Sequence, residues 1–140
     1  MQKVFSSAHV FVYRATGGKI GGRFKKAPVL VLTTTGSKSG LQRSTPLLYV
    51  EDGAALVVVA SNEGSDRAPA WYGNLRAKPE AVARVGSDDR AVRARDANPD
   101  ERSRLWPKIV AAYPAYDDYV AKTTREIPVV ILDPAPGQGT

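Results

Sequence analysis

The sequence predicts an α+β domain, mainly β in its core, built on an antiparallel sheet or small barrel. Three observations lead there. Five or six short β-branched runs recur along the chain, tight-turn residues join most of them, and helix-forming segments fall only at the start, middle and near the end. The spacing does not suit repeated βαβ units, so a doubly wound fold is the weaker reading. A chain of 140 residues has the usual size of one domain, and a single domain over residues 1–140 is expected.

In chain order, residues 2–13 read as an amphipathic helix within an N-terminal segment 1–16. Val4, Ala8, Phe11 and Ala15 stand at helical spacing, Phe5 and Val12 widen the stripe, and Gly17-Gly18 stops it. Residues 19–26 form a glycine-rich basic connector without regular structure. Residues 28–35 follow as a strand, with Val29, Val31, Thr33 and Thr35 on one face and Leu30, Leu32 and Thr34 on the other. Gly36-Ser37-Lys38-Ser39-Gly40 is turn chemistry, and residues 43–50 make a second strand. Asp52-Gly53 turns it into a third at 54–60. Pro69 opens a short helix over 70–77, which Pro79 stops. Residues 81–85 and 91–95 form another hairpin around 86–89. Asn98-Pro99-Asp100-Glu101 reads as a cap, a first-turn proline and a capping-box glutamate. The helical stretch it starts turns Leu105, Ile109, Ala112, Tyr113, Tyr116 and Val120 to one side, and Pro107 and Pro114 should break it. Residues 127–132 are a last strand and 133–140 a loose tail.

Composition removes several chemistries. There is no cysteine, which excludes disulfides, thiolate zinc, iron–sulfur ligation and a cysteine nucleophile. His9 is the only histidine, so a His-rich metal cluster or a Ser-His-Asp triad is not expected, and no metal site is assigned. No apolar run approaches the roughly 20 residues that span a bilayer. Residues 1–14 lack the order of a signal peptide, which makes the cytoplasm the expected compartment. The net charge of +6 is unevenly placed. Residues 1–50 hold eight of the 20 basic residues and none of the 14 acidic ones, leaving a slight negative excess in the remainder. Such a block suits an anionic partner, whether phosphate groups, nucleic acid or an acidic membrane surface, or else a merely solvated basic face.

The most informative stretch is the turn from Gly36 to Arg43. Two glycines allow backbone angles at which successive N–H groups converge on an anion. Ser37, Ser39 and Ser44 add hydroxyls, and Lys38 and Arg43 add charge and forked hydrogen bonding. The GxxxxGK[ST] order of a phosphoryl-transfer loop is absent. A polar hairpin turn with no ligand is an equal alternative. Val59-Ala60-Ser61-Asn62 ends a strand with small and polar groups, either a rim contact for a heterocycle or a plain turn. Trp71-Tyr72-Gly73-Asn74 places two aromatics beside an amide, more often core than pocket. Tyr113, Tyr116 and Tyr119 keep a near-helical rhythm that could line a pocket or simply pack. Glu51-Asp52 and Asp88-Asp89 read as turns, and Asp117-Asp118 as a solvated helix face.

Together these segments resemble the deazaflavin (F420)-dependent nitroreductase and quinone reductase family of actinobacteria. The likeness rests on Thr34-Thr35-Gly36-x-Lys38-Ser39-Gly40 with Arg43-x-x-Pro46-Leu47, then Val59-Ala60-Ser61-Asn62, then Pro69-x-Trp71-Tyr72-x-Asn74-Leu75 and Pro79. It continues through Trp106-Pro107, Tyr113-Pro114-x-Tyr116 and Ile127-Pro128-Val129. The resemblance implies a split β-barrel of the FMN-binding type with surrounding helices. It implies coenzyme F420 as cofactor, its phosphate and acidic tail held by Lys38 and Arg43, with Ser37, Ser39, Ser44, Thr45, Pro46, Leu47 and Leu48 completing that wall. Val59, Ala60, Ser61 and Asn62 with Ala70, Trp71, Tyr72, Gly73 and Asn74 would bracket the ring system. Tyr113, Tyr116 and Tyr119 would stand over its exposed face, with Ser61 and Tyr116 as candidates for acceptor hydrogen bonding or proton supply. The implied reaction is hydride transfer to an electrophilic acceptor such as a quinone, activated alkene or nitroaromatic. Two positions depart from the family pattern: Ser37 stands where Arg is frequent, and Gly73 where a larger residue is usual.

Other readings remain open. One is a non-catalytic F420, flavin or lipid binding protein of the same fold. Nucleic-acid binding is ranked last for want of any recognised motif. Peripheral membrane contact through the N-terminal helix, at the inner face of the cell membrane, competes with packing of that helix on the barrel.

Overall fold

Alternating leucine, valine and threonine side chains give the nine-residue strand Ala27–Thr35 two apolar faces, and the sheet is organised around it. A computed structural model of the protein describes residues 23–24 and 27–135. The expected N-terminal helix with its glycine stop, and the tail beyond residue 135, lie outside these residues.

Eight strands are described: β1 (Arg23–Phe24), β2 (Ala27–Thr35), β3 (Gln42–Leu48), β4 (Val50–Asp52), β5 (Ala55–Val59), β6 (Glu80–Val85), β7 (Asp88–Asp96) and β8 (Val129–Pro134). The helices are α1 (Ala70–Ala77), α2 (Pro99–Ala112) and α3 (Ala115–Lys122). Every pairing is antiparallel, and the neighbours run β1-β2-β6-β7-β8-β5-β4, with β3 also on β2. Residues 42–52 close this order into a barrel. Their first part pairs with β2 from Val29↔Leu48 to Thr35↔Gln42, and their last part pairs with β5 through Val50↔Val57. Tyr49 marks the change of partner, and its N–H donates to the Pro28 carbonyl at 3.2 Å. Among the described residues no ladder joins β3 to β5, so the barrel is split there.

Two apolar layers result. Leu30, Leu32, Leu56, Val58, Ala83, Val130 and Leu132 fill the barrel, with Trp71 and Leu75 of α1 packed among them. Val57, Val59, Val129 and Ile131 face outward beneath Leu105 and Ile109 of α2 and Tyr116 of α3. Strands β5 and β8 are buried on both faces, which explains why they read as continuous apolar runs without polar alternation.

The capping box forms as the sequence implies. The Glu101 N–H donates to Asn98 Oδ1 at 2.8 Å, and the Asn98 N–H donates to Glu101 Oε1 at 2.9 Å. Several expectations need correction. Arg23–Phe24 is a short strand within the supposed connector; a two-residue backbone pairing leaves no side-chain period to read. Tyr49 splits the predicted 43–50 strand. Pro69 occupies the cap of α1, not its first helical position. Pro107 sits inside α2 without ending it, because its ring and the nearby Ser103 lie on the solvent face, where the lost carbonyl partner is water-accessible. Val120 is exposed, since the break at Tyr113-Pro114 resets the helical phase for α3. Asp117 accepts a hydrogen bond from Trp106 Nε1 at 2.9 Å and is not simply solvated. The last strand runs to Pro134, and Asp133 belongs to it, bonded by Arg95 Nε at 2.7 Å.

Replacing Asn98 by Ala removes the acceptor for the Glu101 N–H. Asn98→Ala is expected to cost about 1 kcal/mol, and calorimetry should show Tm lowered by roughly 4 °C or slightly less for a domain of this size.

Candidate functional site

The β2–β3 hairpin is closed by residues 36–41, which fold tightly on themselves. The Gly36 N–H donates to the Leu41 carbonyl at 2.7 Å, and the Gly40 N–H donates to the Gly36 carbonyl at 2.9 Å. Gly40 has φ of +73°, and a Cβ added to Gly36 would lie 2.7 Å from Ser39 Oγ. Both glycines are therefore dictated by the turn. It is fastened from outside by Asn74 of α1, which is buried although polar. Asn74 Oδ1 accepts the Ser37 N–H at 3.0 Å, while its Nδ2 donates at 3.1 Å to Oγ1 of the buried Thr34. This pair gives the turn a fixed position against the barrel mouth.

The side chains on this frame suit an anion. Lys38 and Arg43 are exposed, and the ion pairs of the described residues all use other cations, namely Arg76, Arg84, Arg93, Arg95 and Arg104. Ser37 and Ser39 are also exposed, and Ser44 bonds Thr33 across the ladder at 2.8 Å. Thr45, Leu47 and Leu48 are half-buried and Pro46 buried, forming the strand that leads away from the turn.

That strand ends beside the tyrosines. Tyr113 caps the C-terminus of α2, and Tyr116 and Tyr119 follow in α3. Their rings pack with centroids 5.2 to 6.4 Å apart, and the hydroxyls of Tyr113 and Tyr119 stand 3.5 Å apart. Burial pushes the Tyr116 phenol well above its ordinary pKa, reinforced by its two phenolic neighbours. Tyr119 is also raised, first by burial and then by the hydrogen bond with Tyr113. An apolar recess lies next to them, lined by Leu48, Val50, Val57, Val59, Ile109, Tyr113 and Tyr116. Five strand steps separate Arg43 from Leu48, about 17 Å at the usual strand rise. A ligand that touches both the basic turn and the tyrosines must be long.

At the end of β5, Ala60 and Ser61 are buried, and the chain then leaves through a left-handed turn. Asn62 has φ of +45°, Glu63 +56° and Gly64 +81°. Asn62 Nδ2 donates to the Arg67 carbonyl, which commits that amide to the loop. Gly64 lies against Tyr119: a Cβ there would come within 3.1 Å of the Tyr119 Cα and carbonyl oxygen. Ser61 and α3 thus meet through this turn.

The short helix α1 distributes its residues differently. Asn74 reaches the basic turn, whereas Trp71 is buried in the barrel core with no acceptor for its indole N–H among the described residues. The Tyr72 hydroxyl bonds both carboxylate oxygens of Asp96, at 3.1 and 2.9 Å, beside a groove of about 200 Å³ that Arg76 and Arg95 also line. Ala70 and Gly73 are exposed, and a Cβ added to Gly73 would point into open space. Sequence reasoning missed Arg125, whose guanidinium bonds three carbonyls around the left-handed turn. Nothing local marks it, for Thr-Thr-Arg-Glu reads as a solvated segment. Among the described residues, no cluster of acidic or histidine side chains could hold a metal, and no helix is long and apolar enough to cross a membrane.

Asn74→Ala is expected to destabilise the protein by about 1–3 kcal/mol, because it strands a buried hydroxyl and a backbone N–H. Amide exchange at Ser37 should quicken more than exchange in β6 and β7; equal acceleration would show that Asn74 does not hold the turn.

Comparisons with known proteins bear on the family and the fold. A profile of F420H(2)-dependent quinone reductases matches residues 6–134. The F420H(2)-dependent quinone reductase Rv1261c of Mycobacterium tuberculosis is 43% identical over 129 residues, covering 89% of this chain and 86% of that one. A second protein of the same strain, provisionally given the same description, is 44% identical over 117 residues, or 83% of this chain and 98% of its own. The solved F420-H2 dependent reductase FDR-A superposes with a TM-score of 0.70 at 39% identity, covering 76% of this chain and 94% of that one. The barrel described above is accordingly a split barrel of the FMN-binding type. With the match extending from residue 6 to the last strand, the chain belongs to the F420H(2)-dependent quinone reductase family, an oxidoreductase family whose cofactor is coenzyme F420.

Proposed function

We propose that this protein, as one F420-binding barrel domain, reduces a quinone with F420H2, holding the cofactor tail at residues 36–43 and receiving the acceptor at Ser61 and the three tyrosines. The observation that carries this reading is the pairing of two features one strand apart. Two cations without carboxylate partners among the described residues sit at one end of β3, and a packed cluster of phenols sits at the other. The donor set fits the cofactor: Lys38 and Arg43 suit phosphate and carboxylates, the serine hydroxyls supplement them, and the Cβ-free Gly36 lets the turn close.

When bound, reduced F420 supplies a hydride. A quinone that takes up a hydride also needs one proton to become the quinol. Tyr116 and Tyr119 keep their protons because burial disfavours the phenolate, so both can hydrogen-bond a developing oxyanion, and a proton for the quinol passes through them from solvent only if no phenolate accumulates. Ser61 offers a second donor. The apolar recess beside the tyrosines excludes water from that side. Leu48 and Val59 form the apolar flank of the recess, Leu47 and Ala60 pack on the opposite face of the same segments with the barrel core, and Asn74 keeps the basic turn in register with them. Trp71 and Tyr72 support α1 from within and behind. Activated alkenes and nitroaromatics share the electrophilic character of a quinone and are further acceptors. A non-catalytic binder of F420, a flavin or a lipid would have little use for three phenols clustered at one end of the site.

Mixing reduced F420 and menadione with the protein should oxidise the cofactor, and no turnover across a quinone panel would overturn the reading. The double change Lys38→Ala/Arg43→Ala should weaken F420 binding by about 10- to 100-fold in calorimetric titration, as loss of charge-assisted contacts implies. Unchanged affinity would misplace the cradle. Because the folded-state pKa of both phenols lies above the ordinary value of about 10, turnover should show no tyrosine-linked fall below that pH.

We further place the protein in the cytoplasm at the inner membrane face, with residues 1–16 as the contact. Leu41, exposed at the tip of the basic turn, adds an apolar group between Lys38 and Arg43. Flotation with anionic vesicles should carry the full chain but not one lacking residues 1–16; equal flotation of both would remove the assignment.

A further inference from the structure

Arg125 lies between α3 and β8, in a segment to which the proposed function gives no task. Its guanidinium reaches across to the end of β5. Nε donates to the Ser65 carbonyl at 2.8 Å, and Nη2 donates to the carbonyls of Ala60 at 3.2 Å and Ser61 at 2.9 Å. These acceptors flank the left-handed turn at residues 62–64, where two successive residues that are not glycine have positive φ. Such backbone is costly and persists only where its surroundings over-determine it. Two neighbours of Arg125 add to the restraint. Lys122 Nζ donates to the Glu63 carbonyl at 3.2 Å, and Thr123 Oγ1 bonds Asp66 Oδ1 at 2.6 Å.

The position matters because the turn seats α3. Gly64 touches the backbone of Tyr119 so closely that no Cβ fits without movement. Any relaxation of residues 62–64 would shift Ser61 relative to Tyr116 and Tyr119. Arg125 has no ion pair among the described residues, so its charge is directed at carbonyl oxygens. Ala60 and Ser61 are buried; the Ser61 carbonyl also accepts the Gly64 N–H at 2.9 Å, and Arg125 adds a second donor there and one to the Ala60 carbonyl. A planar fork serves three carbonyls together; a lysine ammonium is a single point on a flexible stem.

We propose that Arg125 is a positioning residue: it holds the Asn62–Gly64 turn in its left-handed form and so sets the spacing between Ser61 and the tyrosine helix. The assignment of the acceptor to that end of the site rests on the functional reading above. The clamp itself rests on the geometry alone. It separates two tasks, with the cofactor tail anchored by the basic turn and the acceptor end aligned by Arg125.

Arg125→Ala and Arg125→Lys in the full chain test it. In the absence of cofactor, amide exchange at residues 62–66 should accelerate by about tenfold or more in Arg125→Ala, while residues 36–41 keep their wild-type rates. Calorimetric affinity for F420 should fall far less than in Lys38→Ala/Arg43→Ala, because the tail is held elsewhere. With menadione, kcat should fall on the order of 10- to 100-fold, the KM for F420H2 should hold, and lysine should restore little of the loss. Millimolar guanidinium ion should raise kcat of Arg125→Ala without affecting wild type. Unaltered exchange at 62–66, acceleration spread evenly over the whole sheet, or wild-type kcat in Arg125→Ala would each overturn the proposal. A wild type that reduces no quinone overturns the functional reading instead, and the exchange measurement then decides the clamp by itself.

Discussion

Residues 42–52 must satisfy two partners that lie on opposite sides of the barrel wall, β2 first and β5 afterwards. The chain meets this demand by changing partners at Tyr49, whose N–H still bonds the Pro28 carbonyl of β2 before Val50 pairs with Val57 of β5. Nearly everything else about the site depends on that change. It opens the wall between β3 and β5, admits the apolar recess under the tyrosines, and makes β3 a straight connection from the basic turn to that recess. A barrel with a regular β3–β5 ladder would have the same cations and the same phenols but no surface shared between them.

The charges divide by role in a related way. Most arginines of the later chain are occupied: Arg95 by Glu101 and Asp133, Arg104 by Asp52, Arg84 by Asp89. Exposed pairs of this kind contribute little individually, but each removes a cation from the pool that could compete for an anionic ligand. The Arg95 guanidinium beside Glu101 holds that carboxyl below its usual range, as does the capping bond to Asn98. Lys38 and Arg43 have no such carboxylate among the described residues, in keeping with a stretch of 50 residues at the start of the chain that carries no Asp or Glu.

Local chemistry is legible in the sequence where it decides the backbone by itself. The cap of α2, the bounds of α1 and the turns at Gly53 and Gly86 all follow from short-range rules, and they fold accordingly. What escapes such rules is decided at longer range. Pro107 is tolerated because its side of α2 faces water, a fact that depends on where the sheet lies. Trp71 and Tyr72 are adjacent in sequence yet differ in fate, Trp71 sunk in the core and Tyr72 packed at its edge with its hydroxyl on Asp96. The turn at residues 36–43 is readable as a cradle because glycine, serine and lysine act there as neighbours. Arg125 is not, since its three acceptors are 60 to 65 residues away along the chain. The tyrosine rhythm survives only in part: the phenols gather, but across a helix break and not along one continuous helix.

Strand β8 occupies the middle of the sheet, between β5 and β7, although it is the last strand described and Leu132 pairs with a residue as early as Leu56. During synthesis, β5 and β7 must wait with their hydrogen-bonding edges bare until β8 emerges to join them. Non-local pairing of this kind makes folding slow and leaves intermediates prone to association. The same apolar run that seals the finished barrel on both faces is therefore the segment whose late arrival most exposes the nascent chain to aggregation.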